Sequence, residues 1–412
     1  MRSHTTINGS PDIAAEEGNF TSSELNAIES LVLADRENVH SAMLAWLLRS
    51  PALSLPARRA LLRALAGPLD VDPTPIATTT EWRDLDILVE LTSPAGDAAF
   101  VAIEHKIKAR EGDAQLAAYD QELVSLSAPV VAKVLLSFVG DEPQSGHSWR
   151  PCSYADLLDG LDQAVAHGEN QHLSDYRALV RRLVACHRLV VHSAAYARHV
   201  FGEEAVDGGP TAGSVNYVER CRLRVTLQRA WLAEVTRRAQ LSERRWSTKT
   251  DESNGVGLAD FARVAHRGQL RIRYGVQLQN WQLKAFAQPW PYPKNVSDGE
   301  RRAVEGVLDE IRDALGIARS ARATADRGRG FRSFRIGADR TSRERYDVSS
   351  WAVEIARTLA SLKGCLMAPN EVMSLATSVA RLRLTRALAS DRHSVRRTRP
   401  ELSPKLSRCV GA

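Results

Sequence analysis

The feature that most restricts the fold is a pair of segments in which polar and apolar residues alternate, at 84–91 and 100–107. Such alternation is typical of half-buried β-strands, because successive side chains of a strand point to opposite faces. The connecting residues 93–97, with the sequence SPAGD, favour a turn, so the two strands are predicted to form an antiparallel hairpin. In the register centred on this turn, Asp86 lies opposite Glu104.

The two faces of this hairpin carry different chemistry. Odd-numbered positions are mostly apolar and are predicted to face the core, whereas the even positions include Asp84, Asp86, Glu90, Glu104 and Lys106. Directly opposed residues have Cβ atoms about 5 Å apart, a separation at which two carboxylates repel each other unless they share a cation or a proton. The even face is therefore either a metal site or a solvated surface with ordinary cross-strand charge pairs.

The motifs around the hairpin resemble the signature of the PD-(D/E)XK nuclease superfamily, and in particular a subgroup described only as PD-(D/E)XK-like proteins of unknown function. An Asp on the second core strand, a Glu-x-Lys that ends the third strand, and a Gln-Leu-x-x-Tyr helix follow one another in the superfamily's order. In this chain they are Asp86, Glu104 to Lys106, and the segment 115–119. Leu85 occupies the position of the proline in the superfamily's name.

The resemblance covers residues 30–185 and implies an α/β fold with a restriction-endonuclease-like αβββαβ core. Residues 37–48 resemble the first helix of the subgroup, and residues 134–138 resemble the core strand that follows the second helix. Residues 149–158 resemble the next strand and helix. The first of the three consecutive strands has the weakest pattern and is expected near residues 76–79.

The resemblance also implies a metal-dependent phosphodiesterase site. Asp86 and Glu104 are the expected ligands of Mg²⁺ or Mn²⁺, and the backbone carbonyl of His105 is the expected third ligand. Lys106 is expected to stabilise negative charge at the scissile phosphate or to help deprotonate the attacking water. Asp84 and Glu90 are alternative ligands on the same face.

Three further residues are implied at or near this site. Gln115 is expected to point toward it, and Tyr119, four residues later on the same helical face, is expected to support it. Glu37 is expected to contribute an acidic group from the first helix. Two of these residues have a purely structural alternative, because Tyr119 can be a core residue and Glu37 can stabilise the N-terminus of its helix.

A chain of 412 residues is too long for one ordinary core, so two domains are expected. The predicted parts, in chain order, are a disordered leader, the nuclease-like domain, a linker, an α+β domain for substrate or partner recognition, and a basic tail. Their predicted boundaries are 1–22, 23–200, 201–214, 215–365 and 366–412.

The predicted α+β domain has three successive strand patterns, at 259–265, 269–278 and 281–288, and carries no recognisable catalytic motif. Several of its basic and aromatic residues are of types that clamp or stack on nucleic acid. They are Arg271, Arg273, Tyr274, Trp281, Lys284 and Trp290. The alternative is a sheet that packs under helices with its charges directed outward.

The net charge of +6 is concentrated at one end of the chain. Residues 381–412 contain eight Arg and one Lys against Asp391 and Glu401, a net charge of +7, which leaves −1 for all other residues. A basic tail can follow a phosphate backbone, or it can simply keep a chain end soluble. The rest of the protein is essentially neutral and gives no electrostatic support for nucleic-acid binding.

Several classes of protein and site are disfavoured. No apolar stretch approaches the roughly 18 residues of a membrane span, and residues 1–19 lack the apolar segment of a signal peptide. The five cysteines form no Cys-x-x-Cys pair, which argues against structural zinc and disulfides and favours the cytoplasm. Phosphate-loop, Gly-x-Ser-x-Gly and His-Glu-x-x-His motifs are absent from the sequence.

The sequence therefore predicts a Mg²⁺-dependent nuclease, with DNA as the expected substrate. Two alternatives remain open: an inactive nucleic-acid-binding protein on a nuclease-like fold, and an interaction protein whose C-terminal part carries the function. The sequence leaves the oligomeric state open.

Overall fold

The computed structural model of this protein describes most of the chain before residue 363. The described ranges are 12–20, 25–31, 33–69, 74–107, 111–112, 114–146, 148–168, 170–202, 212–240, 246–253, 256–279, 281–291, 295–317, 324–325, 331–336 and 344–362. The predicted basic tail lies outside these ranges, as does most of the predicted linker.

The described residues form α-helices and β-strands in alternating groups. The helices are α1 (Ile13–Gly18), α2 (Ala27–Ser30), α3 (Glu37–Arg49), α4 (Leu55–Ala66), α5 (Gln115–Leu123), α6 (Tyr154–Ala166), α7 (Gln171–His192), α8 (Ala194–Val200), α9 (Ala212–Arg220), α10 (Arg224–Gln240), α11 (Asp298–Ala314) and α12 (Val348–Ser361). The strands are β1 (Thr74–Trp82), β2 (Leu85–Thr92), β3 (Ala98–Lys106), β4 (Val130–Ser137), β5 (Arg150–Ser153), β6 (Ser247–Ser253), β7 (Val256–Arg267), β8 (Leu270–Gln279), β9 (Gln282–Pro289), β10 (Thr324–Ala325) and β11 (Arg332–Ile336).

Strands β1 to β5 form a mixed sheet in sequence order. The β1–β2 and β2–β3 pairs are antiparallel, whereas the β3–β4 and β4–β5 pairs are parallel. The order α4, β1, β2, β3, α5, β4 reproduces the predicted αβββαβ arrangement. The predicted α/β class and αβββαβ order are thus found in the structure.

The β2–β3 hairpin has the predicted register. Ile87 pairs with Ile103 and Leu88 pairs with Ala102. Continuing this pairing by one residue places Asp86 across from Glu104. The odd-numbered apolar residues are fully buried or nearly so, as expected for strands whose odd face packs on the core: Leu85, Ile87, Val89, Leu91, Val101, Ile103 and Ile107.

The even face is less open than the sequence pattern suggests. Leu88 and Ala102 are buried in a cluster with Leu116, Tyr119 and other apolar residues. Because Leu116 and Tyr119 belong to α5, this helix covers the middle of the even face. The helix therefore separates Glu90 from the end of the hairpin that carries Asp86, Glu104 and Lys106.

Helical patterns in the sequence predict continuous helices at 23–48, 173–196 and 215–241, but the structure divides each of them. Arg36, directly before α3, has extended backbone angles, which separates α3 from α2. Ser193 is likewise extended and caps α8 through its side chain. Helices α9 and α10 are separated around Arg222, whose φ of 52° is incompatible with a right-handed helix. Local backbone geometry and capping thus override the hydrophobic periodicity.

Two further predictions differ from the structure. The first strand is expected near residues 76–79, but β1 is longer, at Thr74–Trp82, because it pairs along the full length of β2. Residues 1–22 were expected to be disordered, yet α1 forms within them. Its Glu16 carboxylate lies 2.8 Å from the Arg188 guanidinium of α7, a contact between segments far apart in sequence.

Strands β6 to β11 form a second sheet in the order β10-β11-β9-β8-β7-β6. The chain divides into two compact units, one with Met1–Ala262, Gly275–Lys284 and Arg335–Leu359, the other with Arg263–Tyr274, Ala285–Phe334 and Ala360–Ala412. Helix α10 contacts α7 and α8 within the first unit. The division between units therefore does not coincide with the boundary predicted at 201–214, and the proposed α+β domain stays a prediction.

None of the helices in the described ranges is long and apolar enough to cross a membrane.

Helices α4 and α6 pack closely behind the first sheet, and Gly160 permits this approach. A Cβ atom at Gly160 would lie 2.4 Å from the Cβ of Ala64, well inside van der Waals contact. Gly306, in the exposed part of α11, has nothing within 4 Å of the same hypothetical atom. Both glycines lie inside helices, but only Gly160 is closely packed against a neighbouring helix.

We expect Gly160→Ala to lower the free energy of unfolding by about 1–3 kcal/mol, because the added methyl group forces α4 and α6 apart. The control Gly306→Ala should raise it by about 0.5–1 kcal/mol, because alanine loses less entropy in a helix. Urea denaturation followed by circular dichroism measures both. Equal effects of the two changes would contradict the close contact.

Candidate active site

The β2–β3 hairpin brings the two predicted metal ligands together. The backbone amide of His105 donates to Asp86 Oδ2 at 2.8 Å, which holds the Asp86 side chain against β3. Glu104 is only 1% exposed, and Asp86 is partly buried. The two carboxyl groups are within hydrogen-bond reach of each other.

Lys106 and Gln115 both contact Glu104. Lys106 Nζ lies 2.6 Å from Glu104 Oε1, and its side chain is only 13% exposed. Gln115 Nε2, from the first residue of α5, donates to the same oxygen at 2.9 Å. Because both donors approach Oε1, that oxygen is doubly stabilised, whereas Glu104 Oε2 is buried and has no hydrogen-bond donor within the described residues.

Tyr119 connects this cluster to the turn that precedes β2. Gln115 Nε2 also donates to the Tyr119 hydroxyl at 2.8 Å, and this hydroxyl donates to the Asp84 carbonyl at 2.7 Å. Gln115 Oε1 accepts from the Gly112 amide at 3.0 Å, which fixes the orientation of the side-chain amide. Tyr119 is therefore both a core residue and a hydrogen-bonding support.

Glu37 reaches the cluster from the first turn of α3. Its Oε1 accepts from the backbone amide of Ile107 at 2.8 Å, directly after β3. The carboxylate thus bonds a different element rather than only serving its own helix. Asp86, Glu104, Lys106, Gln115 and Glu37 are all brought to one end of the sheet, and their catalytic roles stay predictions.

The alternative ligands are placed less favourably. Asp84 is exposed in the turn between β1 and β2, and its carbonyl takes part in the hydrogen bond to Tyr119. Glu90 pairs with Phe100, and it lies four residues along β2 from Asp86, a distance of about 13 Å. Neither carboxylate is among the groups that shift the pKa of Asp86 or Glu104.

The buried pair is electrostatically strained. Burial raises the pKa of Glu104 and the Asp86 carboxylate raises it further, so that it reaches about 7 although Lys106 opposes the shift. Burial also raises the pKa of Asp86, against the His105 amide and Lys106. For Lys106, burial acts to lower the pKa, but Glu104, Asp86 and Glu37 together raise it. Two neighbouring carboxyl groups that both resist ionisation therefore share the ammonium group of Lys106 at this site.

The donor set suits a hard divalent cation. When both carboxyl groups are ionised, neither has a proton for the orphaned Glu104 Oε2, so a cation or a shared proton is needed there. Among the described residues, no group of three or more His, Cys, Asp or Glu side chains could hold a metal ion. A Mg²⁺ or Mn²⁺ ion would thus need Asp86, Glu104, the predicted His105 carbonyl and water as ligands.

The sequence analysis missed a buried polar network on the opposite face of β3. It consists of Ser41, His105, Tyr154, His40 and Tyr176, all of them fully buried or nearly so. Burial lowers the pKa of His40 to about 4 and that of His105 well below its usual value, so both imidazoles are neutral at pH 7. One signal was available: His105 is a polar residue on an otherwise apolar odd face.

The six residues predicted to contact nucleic acid differ in their surroundings, and Tyr274 is buried. Trp281 packs against the rings of Phe201, Trp231 and Tyr346, with the closest centroid 4.1 Å away, which favours the packing alternative.

The three basic residues of this group retain some exposure. Arg273 lies over the rings of Phe286 and Trp290, Arg271 is exposed, and Lys284 is partly buried, which lowers its pKa. Their binding role stays a prediction.

Comparison with known families finds one similarity, in the N-terminal half of the chain. Residues 25–197 match the family model described as PD-(D/E)XK nuclease superfamily, and this region contains every predicted catalytic residue. This match confirms, over residues 25–197, the resemblance seen in the sequence. No curated protein and no solved structure matches the chain.

Because the pKa of Glu104 is raised in the folded protein, the free energy of unfolding is expected to depend on pH. Below about pH 4.5, Glu104 is protonated in both the folded and the unfolded protein. As the pH rises toward 7, the unfolded state loses this proton first, so the folded state loses relative stability. We expect Glu104→Gln to raise the free energy of unfolding by about 1–3 kcal/mol at pH 8 in metal-free buffer, with little gain at pH 4.

Urea titrations at both pH values, with a chelator present, measure this difference. The control is Glu122→Gln on α5, where a half-exposed carboxylate pairs with Arg83. It should change stability by less than about 0.5 kcal/mol at either pH. A gain for Glu104→Gln that does not depend on pH would contradict the buried, proton-binding carboxylate.

Proposed function

We propose that the protein is a nuclease that uses Mg²⁺ or Mn²⁺ to hydrolyse phosphodiester bonds, with DNA as its substrate. The observation that carries this proposal is the buried Glu104 carboxylate, which has one unsatisfied oxygen and lies beside Asp86. A protein gains no stability from such a pair. The pair makes sense as a binding site for a cation that compensates both charges.

A bound divalent ion would supply an activated water and would neutralise charge on the scissile phosphate. The residues of this chain would hold and orient the reacting groups. The His105 amide fixes Asp86, and Gln115 fixes Glu104 through Oε1. Both carboxylates are thus preorganised by donors that do not compete for the orphaned oxygen.

Lys106 would act on the phosphate as a positioned cation. Its ammonium is held 2.6 Å from Glu104 Oε1 on the same face of β3 as both carboxylates. A phosphodiester bound at this face would bring a negative charge to the ammonium, which favours charge stabilisation among the two roles predicted from the sequence. Glu37, tied to the amide of Ile107, would complete the acidic wall of the site.

The proposal places the enzyme in the cytoplasm. Cys152, Cys186 and Cys221 are buried free thiols in the structure, which supports a reducing compartment. Arg271, Arg273 and Lys284, together with the basic tail, would add substrate contacts beyond the nuclease-like region.

We expect purified protein to cleave DNA in Mg²⁺ or Mn²⁺ and to be inactive with a chelator. Lys106→Ala and Glu104→Ala should each lower the cleavage rate by about 10²–10³-fold, because each removes a charge at the reacting phosphate or metal. The measurement is time-resolved cleavage of plasmid, linear and single-stranded DNA and of RNA.

The matched control is Lys133→Ala, which removes a lysine that pairs with Asp120 at 2.7 Å, on β4 and α5. It should cleave at the wild-type rate. Full activity in both Lys106→Ala and Glu104→Ala would reject the assigned site. Binding of DNA without cleavage on any substrate would instead support the inactive nucleic-acid-binding alternative.

Metal binding can be tested without a substrate. We expect 5 mM Mg²⁺ or Mn²⁺, roughly 10–100 times a submillimolar Kd, to stabilise the wild type by about 1–3 kcal/mol, because the ion binds only the folded state. Asp86→Asn and Glu104→Gln should lose this stabilisation, and Glu122→Gln should keep it. Differential scanning calorimetry with and without metal measures the shift. Equal shifts in all four proteins would place the metal elsewhere.

A further inference from the structure

His105 lies between two residues of the proposed site but points the opposite way. Because side chains alternate along a strand, Glu104 and Lys106 face the site while the His105 imidazole enters the core. The imidazole is completely buried and contacts Ser41 Oγ through Nδ1 at 3.1 Å and the Tyr154 hydroxyl through Nε2 at 2.8 Å. Nothing in the proposed chemistry uses this side chain.

The hydrogen-bond partners determine which nitrogen of His40 carries its proton. His40 Nε2 lies 3.0 Å from the Ala34 carbonyl, so it must carry the hydrogen. His40 Nδ1 is then an acceptor, and both Tyr176 and Tyr154 approach it, at 3.1 and 3.2 Å. Only one of the two hydroxyls can donate to that lone pair.

The same accounting assigns His105. Ser41 donates its one hydroxyl hydrogen to the Glu37 carbonyl at 3.0 Å, so it must accept from His105 Nδ1–H. His105 Nε2 is then an acceptor and takes the hydroxyl hydrogen of Tyr154, which leaves Tyr176 as the donor to His40. In this arrangement each polar hydrogen of the network has one acceptor.

The network joins β3 to α3 at two points. The Ser41 hydroxyl accepts a hydrogen bond from the His105 imidazole. One helical turn earlier, the Glu37 carboxylate accepts a hydrogen bond from the Ile107 amide. Ser41 and Glu37 are four apart on α3, and His105 and Ile107 are two apart at the end of β3, so each pair lies on one side of its segment. Relative rotation or sliding of α3 and β3 would break both contacts.

We infer that His105 is a positioning residue that, clamped between Ser41 and Tyr154, holds the Glu104–Lys106 strand in fixed register with the helix that presents Glu37. An apolar side chain would fill the same volume, but it would not select one rotation of β3 against α3. The directional bonds of the imidazole do select one. The catalytic consequence rests on the proposed function, whereas the positioning itself does not.

Two backbone amides report the position of β3 directly. The His105 amide donates to Asp86 and the Ile107 amide donates to Glu37, so both are protected from hydrogen exchange only while the strand is in place. Tyr154→Phe and Ser41→Ala each remove one side of the clamp. We expect either change to accelerate exchange at these amides by roughly three- to tenfold, the cost of one lost hydrogen bond.

A control makes the same tyrosine-to-phenylalanine change elsewhere. Tyr196→Phe removes a buried hydroxyl that donates to Cys186 Sγ at 3.4 Å, outside the network. Exchange at the His105 and Ile107 amides should remain at the wild-type rate in this variant. Acceleration in Tyr196→Phe equal to that in Tyr154→Phe, or no acceleration in Tyr154→Phe and Ser41→Ala, would overturn the inference.

Cleavage kinetics add a second readout. Tyr154→Phe and Ser41→Ala should lower kcat by about 10-fold, a typical effect of losing a group that orients a metal site, with KM little changed. Tyr196→Phe should leave both constants unchanged. A wild type that cleaves nothing would reject the proposed function, and the hydrogen-exchange result would still decide whether His105 positions β3.

Discussion

The buried carboxylate pair of Asp86 and Glu104 is the constraint around which this part of the protein is arranged. Two acids on neighbouring strands destabilise the hairpin that carries them, and burial increases the cost. The structure compensates with donors from three sources: the His105 backbone, the Lys106 ammonium and the Gln115 amide. Among the described residues, none of these donors reaches Glu104 Oε2, which is buried. The folded protein therefore retains one carboxylate oxygen without a compensating hydrogen or cation.

Strand β3 carries this arrangement because both of its faces are polar at the same end. Glu104 and Lys106 face the site, and His105 is anchored in the core by Ser41 and Tyr154. The strand is also held by α5 on one side and by α3 on the other. A single residue step in its register would exchange the anchored imidazole for a charged side chain, which the core cannot accept. The buried network therefore protects the register on which the site depends.

The sequence was sufficient for the site's central register, because alternation along a strand is local and has a period of two. The sequence pattern placed Asp86 opposite Glu104, and it placed Gln115 and Tyr119 on one helix, which is α5 in the structure. It was insufficient where the outcome depends on distant partners. Strand β1 exists because β2 pairs with it. Ser41 and His105, which are hydrogen-bonded, lie 64 residues apart in the sequence, and no local sequence pattern predicts their contact.

The turn that precedes β2 shows how strain and site are connected. Arg83 and Asp84 both have positive φ, 48° and 69°, a conformation for which tight hairpins usually use Asn and Gly. This conformation orients the Asp84 carbonyl so that it accepts a hydrogen bond from the Tyr119 hydroxyl. The same hydroxyl accepts from the side-chain amide of Gln115, which also donates to Glu104. The strained turn is thus stabilised by the same side chains that orient the proposed metal ligand. The position of the start of β2, and with it of Asp86 two residues later, depends on the helix that fixes Glu104.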